Sequence, residues 1–266
     1  MFETSAPKWC LAAGLVLALG PVRATDQTQG NHWPGEQGLT WASIAKLPNW
    51  SGLWVPDPKS FRESDQAISN PKHNPYSAPL TPKWEAYRLA HAAAPGGFPP
   101  GASKANAALC LPDGMPALMQ APHGFEFFYA PGRVAIVAEN GEMRHIYTDA
   151  GAHPDDPDDT WEGDSIGHWE GDTLVVDTIA IKPEAEIFMG LPNASDKTHV
   201  VERIHLNAQR EIEVDTVVTN PDEFTKPFVY TRTWQSQPGR AVEYVCLEGN
   251  RATSAGTIDL TPPSGL

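Results

Sequence analysis

From Phe125 onward, apolar and polar residues alternate in short runs that recur about every ten residues, as antiparallel strands do in a meander, sandwich or barrel. The runs predict strands at 125–130, 133–139, 142–148, 163–169, 172–181, 198–206, 211–219, 226–235 and 240–247. A Gly-x-Trp opening at Gly52–Trp54 adds a strand at Leu53–Pro56. About ten strands suffice to close a barrel and so remove its edges. Upstream, from Thr25 to Gly124, prolines and glycines are frequent and only two stretches carry helical spacing. One is Leu39–Ala45. The other is Thr81–Ala93, with Pro82 in its first turn and Pro95-Gly96-Gly97 beyond its end. Segments Pro95–Gly101 and Leu111–His123 are expected to wrap the strands, because Met115, Leu118, Met119 and Phe125 need burial.

Two turns set the expected faces. A two-residue turn at Asn140-Gly141 places Ile136 against His145 and Val134 against Tyr147. His145 and Tyr147 then share one face, with Arg133, Arg144 and Glu139 on the other. In Asp164–Thr178, DSIGHWEGDTLVVDT, a turn at Glu170-Gly171 sets Trp169 against Asp172, His168 against Thr173, Ile166 against Val175 and Asp164 against Asp177. That register gathers His168, Asp164 and Asp177 on one face and Trp169, Leu174 and Val176 on the other. His145, His168, Asp177, Tyr230 and Arg232 interrupt apolar strands and are expected to point inward. A buried polar group left unpaired costs about 1–3 kcal/mol, so these five should pair or meet a ligand.

Composition adds a compartment. Lys8, an apolar run over Leu11–Leu19 and the small residues around Val22-Arg23-Ala24 read as a secretory signal peptide over residues 1–24. Cys10 precedes the apolar run, which argues against a lipoprotein anchor, and the run is too short to span a bilayer. Removing it leaves 17 basic against 32 acidic residues, a formal charge of −15, which excludes nucleic acid and anionic membrane as natural partners. Cleavage also leaves Cys110 and Cys246, and export predicts a disulfide between them. The crowd of Asp149, Asp155, Asp156, Asp158, Asp159, Glu162 and Asp164 reads first as a solvated acidic loop.

The Gly-x-Trp at Gly52–Trp54 followed by antiparallel hairpins resembles the opening of lipocalin-like (calycin) barrels. A broader likeness, through CLPDGMP, FEFFYAPGRVAIV, RHIYTD, HPDD, SIGHWEGDTLVVDT, HVVERI and EYVCLE, is to a large set of exported bacterial proteins. The resemblance implies an up-and-down antiparallel barrel of about eight to ten strands, closed at one end by the Trp. Some lipocalin-like barrels of aromatic catabolism are cofactor-free enzymes, so it also permits catalysis without a cofactor.

Four domains follow: a signal peptide at 1–24, an irregular front at 25–124, the barrel at 125–248 and a tail at 249–266. For catalysis the candidates are His168 with Asp177, an imidazole beside a carboxylate, and His145 with Tyr147. Arg144, Arg232 and Tyr230 are candidates for holding an anionic or phenolate group. The apolar stretch Ile187–Pro192, with Phe188 and Met189, and Met119 beside it, is read as a lid over an apolar ligand or as ordinary packing. The competing metal set is His145, Asp149, His153, Asp155 and His168. No HExxH, paired CxxC or EF-hand loop supports it, and no metal is expected. Neither a G-x-S-x-G elbow nor a Gly-rich phosphate loop is present. The expected function is therefore cofactor-independent elimination or isomerisation of an apolar aromatic, phenolic molecule in a barrel cavity, outside the cytoplasm. Release of formaldehyde from a lignin-derived dimer is one concrete form. The alternatives are a periplasmic carrier without catalysis, a metal-dependent enzyme and a structural envelope protein.

Overall fold

The computed structural model describes residues 40–60, 78–93, 110–149, 151–188, 191–193, 195–242, 244 and 246. The signal peptide, Pro95–Gly101, Met189 and the tail at 249–266 lie outside the described residues. Both expected helices form. Trp41–Ile44 (α1) begins at Thr40, whose side chain caps Ser43 N while Ser43 caps back, a reciprocal box that holds so short a helix together. Pro82–Ala93 (α2) starts at the proline that fits a first turn.

The strands are β1 (Leu53–Pro56), β2 (Phe125–Ala130), β3 (Arg133–Ala138), β4 (Met143–Tyr147), β5 (Asp164–Glu170), β6 (Thr173–Ile179), β7 (Glu186–Phe188), β8 (Leu191–Pro192), β9 (His199–Leu206), β10 (Ile212–Thr219) and β11 (Phe228–Gln237). Nine of them close a barrel in the order β1-β11-β10-β9-β6-β5-β4-β3-β2, and β7 with β8 forms a separate ribbon. The barrel is mixed rather than wholly antiparallel, because β4 and β5 run parallel and meet only at Tyr147 and Ile166. Parallel neighbours need a long crossover. Residues 148–163 supply it, so the Pro- and Asp-rich segment His153–Asp159 is carried back along the barrel wall to where β5 begins.

The expected strand at 240–247 is absent among its described residues. β11 ends at Gln237, and Cys246 is instead bonded to Cys110 with Cα atoms 5.6 Å apart. The pair closes a loop long enough to contribute about 4 kcal/mol through the unfolded chain.

Alternation decides what faces in. The inner wall carries Val134, Ile136, Ile146, Leu174, Val176, Val200, Ile204, Ile212, Val214 and Val218, all essentially inaccessible. Near the turns at 170–173 and 206–212 the barrel is filled by Trp50, whose ring lies 5.0 Å from Phe127 and 5.2 Å from Trp169. Trp54 of the Gly-x-Trp strand donates its indole N–H to the Trp50 carbonyl, 2.8 Å away, and so holds that plug in place. The other end is covered by the expected wrap. Met115, Leu118 and Met119 are buried there in and before a 3-10 turn at Ala117–Gln120. Gln120 donates to the Ile187 carbonyl and to the Tyr230 hydroxyl, which pins β7 and the wrap to the barrel.

Both predicted hairpins form with a shifted register. The Asn140-Gly141 loop has three residues between Ala138 and Glu142, with Gly141 at φ +89° as such a loop requires. The pairing becomes Ile136 with Arg144 and Ala135 with His145, one residue from expectation. Since strand side chains alternate, that slip exchanges the two faces: Arg144 goes inside, and His145 and Tyr147 go outside. At the second hairpin the turn is Gly171-Asp172, setting His168 against Val175 and Ile166 against Asp177. This shift moves each partner by two residues, so the faces survive. Asp164, His168 and Asp177 do share one face, but it is the outer one.

Candidate functional site

The barrel wall separates the two groups of residues expected to work together. Arg144, Tyr230, Arg232, Phe188 and Met119 are all buried, while His145, Tyr147, His168 and Asp177 lie on the outside. No single chamber joins them. Inside, Arg144 Nη2 lies 2.5 Å from Glu202 Oε2, with both side chains 0% exposed. Arg144 also donates to Thr178 Oγ1 at 2.9 Å and to Ser165 Oγ at 3.3 Å. The expected role of Arg144 in anion capture is thus replaced by a fully buried ion pair. Arg232 donates to the Ser60 carbonyl and sits over the Tyr230 ring, while Phe188 packs at 6.4 Å from Phe228. Ile187, Phe188 and Leu191, the described apolar residues of this stretch, are buried in the core.

Outside, the hairpin's two carboxylates meet imidazoles that it does not itself contain. His153 Nδ1 lies 2.5 Å from Asp164 Oδ1, and its Nε2 lies 3.1 Å from Asp177 Oδ1. The same Asp177 oxygen is 2.8 Å from His199 Nε2. The result is a continuous chain, Asp164–His153–Asp177–His199, built from the crossover, β5, β6 and β9. His153 arrives because the crossover must return along the wall. His199 arrives because β9 pairs with β6, setting it diagonally from Asp177. Asp164 and His153 are mostly covered, whereas the side chains of Asp177 and His199 are 41% and 42% exposed. One end of the chain is anchored and the other meets solvent.

A cross-strand row runs beside it: Tyr147, Ile166, Asp177 and Val201 face outward on β4, β5, β6 and β9. Arg133 lies over the Tyr147 ring at 5.3 Å. Tyr147 is therefore two strands, roughly 10 Å, from Asp177. His168, 66% exposed, contacts Glu170 instead of Asp177, and His145 stands exposed on the neighbouring strand. The competing metal set does not gather either: Asp155 belongs to the exposed part of the acidic loop, where Asp156, Asp158 and Asp159 are exposed too.

His199 was missed by sequence reasoning, and His153 entered only in a metal set with the wrong companions. Glu202 was missed as well, although it carried a signal: it occupies the inward place between Val200 and Ile204. A charge at such a place must be paired.

Two other clusters stand apart. His205, Glu213 and Asp215 bring potential ligand atoms within 4.8 Å of one another on the outer face of β9 and β10. A shallow cleft of about 160 Å³ lies beside the disulfide, lined by Asp113, His123, Glu142 and Tyr244. Burial, then the charges of Glu142 and Glu186, push the Asp113 carboxyl up to about 7, and burial pulls His123 below its ordinary value. Glu142 in this cleft is committed to structure, accepting the backbone N–H groups of Asp113 and Gly114.

No family model matches this chain, and no curated protein matches its sequence.

Proposed function

We propose that this protein is an exported small-molecule enzyme of acid–base chemistry, a lyase or isomerase, whose working surface is the outer wall around Asp177. One observation carries the proposal: two imidazole nitrogens from distant segments converge on one Asp177 oxygen, at 3.1 and 2.8 Å. A carboxylate that orients an imidazole fixes which nitrogen holds the proton, the arrangement a proton-transfer site needs. Asp164 and His153 form the anchored end, and His199 is the solvent-facing end that meets substrate. Ile166, Val201 and Tyr147 offer the adjoining apolar and aromatic surface, which suits a phenolic ring, with Arg133 placed to favour its phenolate.

The resemblance to lipocalin-like barrels of aromatic catabolism supports the same substrate class, with the chemistry moved from the interior to the wall. The Cys110–Cys246 bond fits an oxidising compartment. Among the described residues no helix is long and apolar enough to cross a membrane. The carrier alternative uses the barrel interior, where Trp50, Phe125, Phe127 and Trp234 belong to the buried core.

The test is a screen of the purified protein against phenolic dimers and monomers, following new products by mass spectrometry and tryptophan fluorescence in parallel. Conversion is expected. Quenching without conversion would establish a carrier and end the enzyme proposal.

A further inference from the structure

We infer that His205, Glu213 and Asp215, on the outer face of β9 and β10, bind one divalent cation of the Zn²⁺ type and tie the two strands together near their turn. The inference stands apart from the acid–base proposal. His205 lies six residues along β9 from His199, roughly 20 Å away, and among the described residues no hydrogen bond or ion pair joins it to the Asp164–His153–Asp177–His199 chain.

The pleat brings the three side chains together. Glu213 is the direct cross-strand partner of His205, and Asp215 follows Glu213 by two residues, so all three leave the sheet on the same face. One ligand atom of each lies within 4.8 Å of the other two, and among the described residues no other trio of histidine, cysteine and carboxylate side chains meets that spacing. His205 Nε2 stands 3.4 Å from Glu213 Oε1. That is wide for a hydrogen bond, but two ligands each about 2.0–2.2 Å from one tetrahedral ion stand about 3.3–3.6 Å apart. All three side chains are partly exposed, so a small rotation closes the set and water can fill the remaining position.

The groups behind the trio are neutral donors. The Thr231 hydroxyl donates to Asp215 Oδ1 at 2.6 Å, and the Asn207 amide, which donates to Glu211 at 3.0 Å, also faces Glu213 Oε2. Each carboxylate keeps a second oxygen for an ion while its first is oriented from outside, as in metal centres. Asp57 and Glu211 add two more carboxylates beside them, bridged by the Gln235 amide at 3.1 and 3.2 Å. Arg203 is opposite Asp215 by register, yet its guanidinium is turned to Glu170 at 2.9 Å. Among the described residues no lysine or arginine pairs with any of these four carboxylates. A cation is the charge the patch lacks. The imidazole favours Zn²⁺ over Ca²⁺ or Mg²⁺, which prefer all-oxygen shells.

The experiment is calorimetric titration of ZnCl₂ into the oxidised full chain, purified without a histidine tag and stripped with chelator, with bound metal counted by elemental analysis. One equivalent at micromolar affinity is expected, undisturbed by millimolar CaCl₂, together with a rise in Tm on adding zinc. His205→Ala and Glu213→Gln should each weaken binding about 100-fold and abolish the rise in Tm. Thr231→Val, which removes only the hydroxyl behind Asp215, should weaken it about 10-fold. His199→Ala should bind as the wild type does. Thermal unfolding without zinc confirms that each variant is folded. Wild-type protein that binds no zinc below millimolar concentration overturns the inference, as does displacement by millimolar CaCl₂. Binding kept in both His205→Ala and Glu213→Gln, or lost in His199→Ala alone, would place the ion elsewhere and overturn it equally.

Discussion

Glu202 and Asp177 sit on paired strands, one register position apart, and point to opposite sides of the same wall. Glu202 faces the buried interior and is held by Arg144, with both side chains out of reach of solvent. Asp177 faces water and is shared by two histidines, one of them half-exposed. Removing either partner of the inner pair leaves a naked charge in a low-dielectric core, so that pair is held in place by the cost of breaking it. The outer cluster is stabilised little by its contacts, because solvent competes for them. It is correspondingly free to exchange protons or ligands. Chemistry is expected where the groups have little stability to lose.

The sharpest way to break the comparison is from the inside. Glu202→Ala should destabilise the fold by about 3–5 kcal/mol, measured by urea unfolding, whereas Asp177→Ala should cost less than about 1 kcal/mol. Equal losses at the two sites would erase the distinction. Next in size is the disulfide: Cys110→Ser with Cys246→Ser should lower stability by about 2–4 kcal/mol in the same assay. It should do so without altering the outer cluster, which lies on different strands.

A smaller effect has a pH signature. The Asp113 carboxyl is raised to about 7 by burial and by Glu142 and Glu186. The folded protein therefore keeps a proton that the unfolded chain releases near pH 4. Stability should fall as pH rises from about 4 to 7 through this group, then level off. Asp113→Asn should remove that slope and raise stability at pH 8 by about 1–2 kcal/mol, after allowing for partial exposure, with no gain at pH 3.5. Smallest of all is Thr216→Val. The Thr216 hydroxyl is buried with no partner among the described residues, so the isosteric change should raise stability by about 0.5–1 kcal/mol.

Much of this molecule could be read from alternation alone. The strand at Phe125–Ala130 was predicted to the residue, and both helices, the wrap around Met115–Met119 and the disulfide were anticipated. Two physical features hid the site. The Asn140-Gly141 signal does not distinguish a two-residue from a three-residue loop, and that one residue sent His145 out and Arg144 in. Parity within β4 held the answer, since Arg144 shares its face with Ile146. The second feature is the parallel step from β4 to β5, which the regular spacing of strands concealed. Only that crossover brings His153 to Asp164 and Asp177. The sequence pairs Asp177 with His168 of the same hairpin, whereas the imidazoles beside it come from the crossover and β9. A long-range contact of this kind leaves no local pattern in a single sequence.

The central claim is that the working face is outside. It is tested most directly by comparing kcat/KM of Asp177→Asn and Thr216→Val, each corrected for folded fraction, on the phenolic substrate that the product screen identifies. The two residues lie on opposite sides of the wall, one in the His–Asp chain and one in the core beside Glu202. The account predicts a loss of about 100-fold or more for Asp177→Asn, in the range that general acid–base groups contribute, and wild-type turnover for Thr216→Val. Full activity in Asp177→Asn with a loss in Thr216→Val would place the chemistry inside the barrel and contradict it.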